Sequence, residues 1–278
     1  MAHILKFTHT PSIDESIEEY VHHEYEPITG TSINNGGDIR ISIEPQDMFT
    51  HPSESYLLFE GRLTKADGTP YANADEVALT NNATMHLFSR IEYHLSNQLI
   101  ELLNYPGQAT TMLGLLKYPD DFSRLRVSIS CGIKTQQQLQ QKPTTKDLLQ
   151  GMHISSSHQP SKGRLFSFRI PLKHIFGICE DCDKIVFGLK HSLTLVRKTD
   201  DDAILRGAAD GAGKVTLDKM LWFMPRVIPA DAEKFSIYKT IESKVRAPVA
   251  YRTRQCDMLS VPESTSFTWR LSVKTPPE

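Results

Sequence analysis

Apolar residues at every second position recur along this chain in short blocks. Ile39, Ile41 and Ile43 alternate with Arg40, Ser42 and Glu44, and Ile91, Tyr93 and Leu95 alternate with Arg90, Glu92 and His94. A period of two puts one set of side chains on a single face of an extended strand. The run Ser55 to Thr64 has strand length, and Asp67-Gly68 after it is a turn signal. Ser96-Asn97 predicts a hairpin returning through Gln98 to Glu101. Phe166, Phe168 and Ile170 alternate again, as do Phe267, Trp269, Leu271 and Val273. Phe187, Leu189, Leu193 and Leu195 are expected to share the inner face of one long strand, with His191 on that face as a buried, hydrogen-bonded histidine. Lys214 to Val227 is a further strand. Many short strands separated by turns predict an all-β, mainly antiparallel fold of β-sandwiches with a few short helices. Regular strand–helix alternation is missing, which argues against a doubly wound sheet or a barrel of βα units.

Three helices are expected, besides a short helical piece around Asp147 to Gln150. The first follows Ser12-Ile13-Asp14-Glu15, which has capping-box spacing, with Ile13, Ile17, Tyr20 and Val21 at helical intervals. The second carries Ala109, Met112, Leu113 and Leu116 on one face, starts near Pro106 and stops at Tyr118-Pro119. The third, after Asp231, carries Phe235, Tyr238 and Ile241. Residues 1–37 read as a polar N-terminal arm and 38–207 as a first sandwich. Within the latter, 124–162 is irregular, with the glutamine-rich Gln136 to Gln141 and the linker-like Ser155-Ser156-Ser157-His158. A boundary is placed at the small residues Ala208 to Gly213, and 208–278 opens a second, incomplete sandwich.

Composition removes several function classes. The 31 basic residues nearly balance the 33 acidic ones, giving −2, whereas a protein built mainly to grip a phosphate backbone needs a basic surplus. No segment reaches the roughly 18 to 20 apolar residues of a membrane helix, and Met1 to Thr10 lacks a signal-peptide core. Four cysteines are too few for a disulfide scaffold and fit a reducing compartment. The expectation is an intracellularly made, unsecreted protein.

Reactive constellations are weak. Cys179-Glu180-Asp181-Cys182 lacks the second ligand pair a zinc site requires, Cys131 and Cys256 being isolated, and its carboxylates raise a thiolate pKa, so it reads as a turn between strands. His22-His23-Glu24 with Glu26 reads as solvated arm side chains, and Asp200-Asp201-Asp202 as a solvated turn. Glycines 207, 211 and 213 lack the Lys-Ser/Thr ending of a phosphate loop. No GxSxG or HExxH occurs. Lys244, Arg246, Tyr251, Arg252 and Arg254 form a small basic, aromatic strand that faces solvent, a neighbouring subunit or nucleic acid. No catalytic, cofactor or metal residue is assigned, and no enzyme is expected.

The stretch Leu79-Thr80-Asn81-Asn82, then Met85 to Ile100, followed by Tyr105-Pro106 and a helix, resembles a signature of double jelly-roll major capsid proteins. Phe168 to Leu172, Lys184 to Leu189 and Leu193 to Arg197 resemble the strands closing the first jelly roll, and Lys214 to Leu217 with Trp222 to Val227 the opening of the second. The resemblance is to the capsid-like proteins of Polinton/Maverick elements and adintoviruses, over roughly 12–123 and 163–275. It lapses at 124–162, where a local frameshift or a true insert would account for the break. Ser128 to Lys134 can be encoded so that the next frame reads as an aromatic strand. Family members run on past residue 278, so the second jelly roll is expected to be incomplete and the chain poorly soluble through exposed edges.

The resemblance implies a structural subunit that self-associates into trimeric, pseudo-hexagonal capsomers of a virus-like transposable element, or a decayed or domesticated copy of one. Its implied partners are itself and a minor (penton) capsid protein, with no membrane span and no specific nucleic-acid binding. Its implied location is a virion-like particle, or otherwise the cytoplasm or nucleus. A jelly-roll ligand- or carbohydrate-binding module is the alternative, and would need an aromatic-lined cleft. An enzyme on a β-sandwich with a cupin-type metal centre ranks third.

Overall fold

The computed structural model describes residues 16–28, 33–34, 36–44, 48–71, 77–80, 82–117, 164–199, 204–206, 213–244, 248–261, 263 and 266–269. Its strands are β1 (Ile17–Tyr25), β2 (Gly37–Ile43), β3 (Phe49–Thr50), β4 (Tyr56–Lys65), β5 (Val77–Leu79), β6 (Phe88–Leu95), β7 (Gln98–Asn104), β8 (Arg164–Pro171), β9 (Val186–Phe187), β10 (His191–Arg197), β11 (Ile204–Arg206) and β12 (Gly213–Pro229). Its helices are α1 (Ala83–His86), α2 (Pro106–Lys117), α3 (Leu172–Ile175), α4 (Gly177–Asp181) and α5 (Asp231–Glu242). The larger sheet runs β8-β4-β12-β3-β9 with β1 also on β12, the smaller runs β2-β10-β6-β7, and β11 pairs β5. Every pairing among them is antiparallel.

The period-two blocks face each other across one core. Ile39, Ile41, Ile43, Ile91, Tyr93, Leu193 and Leu195 of the smaller sheet meet Leu57, Phe59, Leu63, Phe166, Phe168, Ile170 and Trp222 of the larger. Strand β12 keeps its inner face through a bulge. Val215 and Leu217 point inward, the register shifts between Leu217 and Lys219, and Met220, Trp222 and Met224 then continue the buried row. One extra residue reverses the parity, so the even positions take over from the odd ones. At this bulge Gly61 of β4 faces Leu217, and a Cβ there would lie 2.4 Å from the Thr216 carbonyl oxygen. The irregular edge is capped by Asn34, whose amide donates to the Leu217 carbonyl at 2.8 Å and accepts its N–H at 2.7 Å.

Several local expectations need correction. Ile17, Tyr20 and Val21 lie on strand β1, not on a helix, because β12 offers them a ladder from Tyr25↔Trp222 to Ile17↔Pro229; Ser12 to Glu15 and Asp147 to Gln150 fall outside the described residues. The expected long strand through Phe187 and Leu195 is two strands in different sheets. The chain turns the corner at Gly188, whose φ of +63° favours glycine. Helix α2 spans the expected residues, but it buries Pro106, Gly107, Thr110 and Gly114 and leaves Leu116 88% exposed. Small residues win because α1 approaches closely: the Asn82 amide donates to Thr110 Oγ1 at 2.6 Å and to the Gly107 carbonyl at 3.3 Å. Residues 266–269 are not in a strand, and Phe267 and Trp269 are exposed, since no described strand offers them a ladder. The Ser96-Asn97 hairpin is as expected, with φ of 47° and 68°, the left-handed pair of a type I′ turn. The strand past the expected boundary at 208–213 joins the same larger sheet, pairing with β4 from Gly213↔Lys65 to Phe223↔Tyr56.

Candidate functional site

His191 sits at the centre of the sandwich, with no exposed surface. Its Nδ1 is 2.8 Å from the Tyr93 hydroxyl and its Nε2 is 2.9 Å from Thr50 Oγ1. Thr50 Oγ1 in turn donates to the Val186 carbonyl at 3.1 Å. That bond uses the threonine's only proton, so Thr50 accepts from Nε2–H, and Nδ1 accepts from the tyrosine. The imidazole is neutral and both nitrogens are occupied. Burial holds its pKa down to about 4 and pushes the Tyr93 phenol well up. The relay ties β10 and β6 of the smaller sheet to β3 of the larger. It therefore staples the sandwich and has no lone pair left for a metal or for base catalysis.

A second cluster lies where residues 251–256 cross α3 and α4. Glu101 is 2% exposed and accepts backbone N–H groups from Gly177 at 3.0 Å, Ile178 at 3.2 Å and Arg254 at 3.0 Å. Arg254 donates to the carbonyls of His174 at 2.6 Å and Lys173 at 3.1 Å, and pairs with Glu180, which also pairs with Lys117. Arg252 holds Asp181 through its guanidinium and its backbone N–H, which pulls that carboxyl down to about 2. The Tyr251 hydroxyl donates to the Ile100 carbonyl at 3.3 Å. The strap lies so close that a Cβ on Gly177 would be 1.6 Å from the Arg252 carbonyl oxygen. The expected basic strand is thus an irregular strap. Its arginines are engaged within the chain, because α3 and α4 turn carbonyls and carboxylates toward it; Arg246 lies outside the described residues.

The CxxC is a short helix and its exit, not a turn. Cys179 is buried in α4, and burial together with the Glu101 charge pushes its thiol up, so it is a poor nucleophile. Cys179, Cys182 and Cys256 are free. No group of three or more ligating side chains stands together among the described residues. His22, His23 and Glu24 are exposed on β1. Asp200 to Asp202 and 207–212 lie outside the described residues.

Two surface features escaped the sequence. Tyr20 and His51 meet at 3.0 Å, and His51 Nε2 is 2.7 Å from Asp183. This chain of polar groups has a serine-protease outline but not its chemistry. Burial and the charges of Glu54 and Asp183 push the Tyr20 phenol up, so it anchors β1 and is no nucleophile. The other is an open groove of 710 Å³ between the β6–β7 end and residues 257–269. Tyr105, at a left-handed φ of 50°, and Trp269 line it with Arg90, Asn104 and Asp257. Only the fold brings these distant residues together.

The sequence model of the double jelly roll-like domain matches residues 77–278. No curated protein matches. Among solved structures, a chain of the Sputnik virophage determined by cryo-EM aligns at TM-score 0.53 and 8% identity, over 82% of this chain and 51% of that one. The Faustovirus major capsid protein aligns at TM-score 0.44 and 11% identity over 84% and 59%, and PBCV-1 VP54, fitted into a Sputnik reconstruction, at 0.42 and 10% over 83% and 47%. This chain spans about half the length of these structures. The sequence model alone covers well over half of this chain, and the antiparallel two-sheet sandwich agrees with it: the chain belongs to the double jelly roll-like domain family.

Proposed function

We propose that this protein is a structural, capsid-like subunit whose activity is self-association into trimers that tile a shell. The observation that carries this reading is family membership across 77–278, joined to a sandwich whose buried His191 and Glu101 networks serve to hold it rigid. A rigid sandwich presents its loops and edges to neighbours; two tandem sandwiches make a block with two similar halves, and three such blocks around an axis approach a hexagonal outline. The fold shared with a Sputnik virophage chain supports it. The finer parts of the reading are a minor capsid partner, location in a particle, and origin in a Polinton/Maverick-type element or a decayed copy. Neighbouring genes for a protein-primed polymerase, integrase, packaging ATPase or maturation protease would support that origin; a host neighbourhood with no remnant of such genes would overturn it. In domain terms, the N-terminal arm contributes β1 to the first jelly roll, and because β12 is built into the same sheet, the second opens beyond Pro229.

Light scattering with sedimentation velocity tests the main claim. A trimer has three times the subunit mass of 31.4 kDa, and shells are visible by electron microscopy. A protein that stays monomeric at all concentrations overturns it.

The Tyr105–Trp269 groove favours a second reading, a binding module for a ligand with a flat apolar face and flanking hydroxyls, such as a glycan. Trp222 is fully buried and Trp269 is 46% exposed, so a saccharide in the groove would shift the Trp269 emission and protect it from quenching. Unchanged quenching across a glycan panel removes this reading.

A further inference from the structure

We propose that strand β1 is a docking edge for a second copy of this chain, pairing antiparallel with the β1 of its neighbour across a two-fold axis at Val21. This goes beyond the trimer, whose axis is three-fold, and does not depend on it.

Strand β1 hydrogen-bonds to β12 along one edge; among the described residues nothing pairs with its other edge. Eight of its nine residues are exposed, including Ile17 at 43%, Tyr20 at 41% and Val21 at 41%. An edge of this length presents a row of backbone donors and acceptors, and proteins that must stay apart protect such edges with charge, above all lysine, with proline, with bulges or with a covering segment; here the bulge is confined to the Ile17–Glu19 end. The nine residues IEEYVHHEY contain neither lysine nor proline. The strand is also held in place: the Tyr20–His51–Asp183 chain fixes it over the sheet, and His22 packs against Tyr56 at 5.5 Å.

The occupant follows from the order of hydrogen-bonding side chains, carboxylate acceptors on one side of Val21 and imidazole N–H donors on the other. Glutamates 18 and 19 precede Val21, and histidines 22 and 23 follow it. A parallel neighbour would set glutamate on glutamate. An antiparallel copy reverses the order, and strand geometry requires paired residues of equal parity. Centred on Val21, this places Glu19 opposite His23, Tyr20 opposite His22 and Val21 opposite Val21, with each favourable pair made twice. The like-charge pair in this register, Glu18 with Glu24, falls at the end where the bulge between Ile17 and Glu19 takes Glu18 out of the regular ladder. The contact is isologous, as a two-fold requires.

Register-specific cross-linking tests this. In the pair, the two Val21 Cα atoms lie within disulfide range, whereas the two Glu24 positions are about 20 Å apart at roughly 3.3 Å per residue. Under mild oxidation of the full chain, Val21→Cys is expected to give roughly tenfold more covalent dimer than Glu24→Cys or wild type. Val21→Lys, which sets two cations face to face on an exposed edge and leaves the melting temperature unchanged, is expected to lower the sedimenting mass at least twofold. Equal cross-linking of Val21→Cys and Glu24→Cys, no cross-linking of either, or an unchanged mass for Val21→Lys would each overturn the proposal. Loss of the trimer in wild type would overturn the capsid reading alone.

Discussion

At the scale of single residues, the two most consequential groups are histidines that stay neutral. His191 and His174 are buried, and burial brings each to about pH 4 for half-protonation, with Arg254 adding to the effect at His174. The unfolded chain takes up these protons near pH 6.5. Between about 6.5 and 4 the unfolded state therefore binds more protons than the folded one, and stability falls as the pH drops. Their contribution is full above 6.5 and is lost progressively toward 4, by about 3 kcal/mol for each histidine. Urea unfolding at pH 7.5 and pH 4.5 measures this, and His191→Phe is expected to flatten the dependence. His191→Ala at pH 7.5 should cost about 3 kcal/mol, because it opens a cavity and strands the Tyr93 hydroxyl; an urea midpoint equal to wild type would contradict the relay. The burial of His191 was legible from its alternation with Leu193 and Leu195 on β10. Its partners were not, since Thr50 and Tyr93 lie 141 and 98 residues away in sequence.

At the scale of elements, local signals held where the ladder partner was local. Ser96-Asn97 predicted the β6–β7 hairpin because turn and strands are contiguous. Its two left-handed residues are not glycine, so Asn97→Gly is expected to stabilise by about 0.5 to 1 kcal/mol, read as a raised melting temperature. The strap shows the opposite case. Arg252 and Arg254 looked like an outward basic strand, but their partners Asp181, Glu180 and the α3 carbonyls come from a helix pair some 70 to 80 residues earlier. Arg254→Ala breaks a partly buried ion pair and two carbonyl bonds at once. It is expected to weaken the strap locally by about 2 kcal/mol and speed hydrogen exchange over 248–261 roughly thirtyfold, with the core amides of β4 and β10 unaffected. Uniform acceleration across both sheets would show instead that the strap is part of the global fold. Gly177→Ala should act on the same strap through steric contact.

At the scale of the whole molecule, apolar surface is left outside the sandwich in places the helical stripe of α2 would have buried. Leu116 is 88% exposed and Met112 54%. Leu116→Glu is accordingly expected to leave unfolding free energy within about 0.5 kcal/mol of wild type. If this face lies between subunits, the same substitution lowers the sedimenting mass, so stability and assembly can be separated by the two measurements.

By itself the sequence determined most of the extended segments, the apolar face of each, and that the class is an antiparallel sandwich, because side-chain alternation along a strand is a local geometric property; it did not mark Ile17–Tyr25 as a strand. Its block order also carried the family. The tertiary structure alone decided which strands are neighbours. A strand's partner is chosen by the packing of two whole sheets, and so Ile17 to Tyr25 became an edge strand on β12, Gly188 became a corner between sheets, and two arginines became an internal clamp. Burial pays for those long-range pairings, and no window of neighbouring residues contains it.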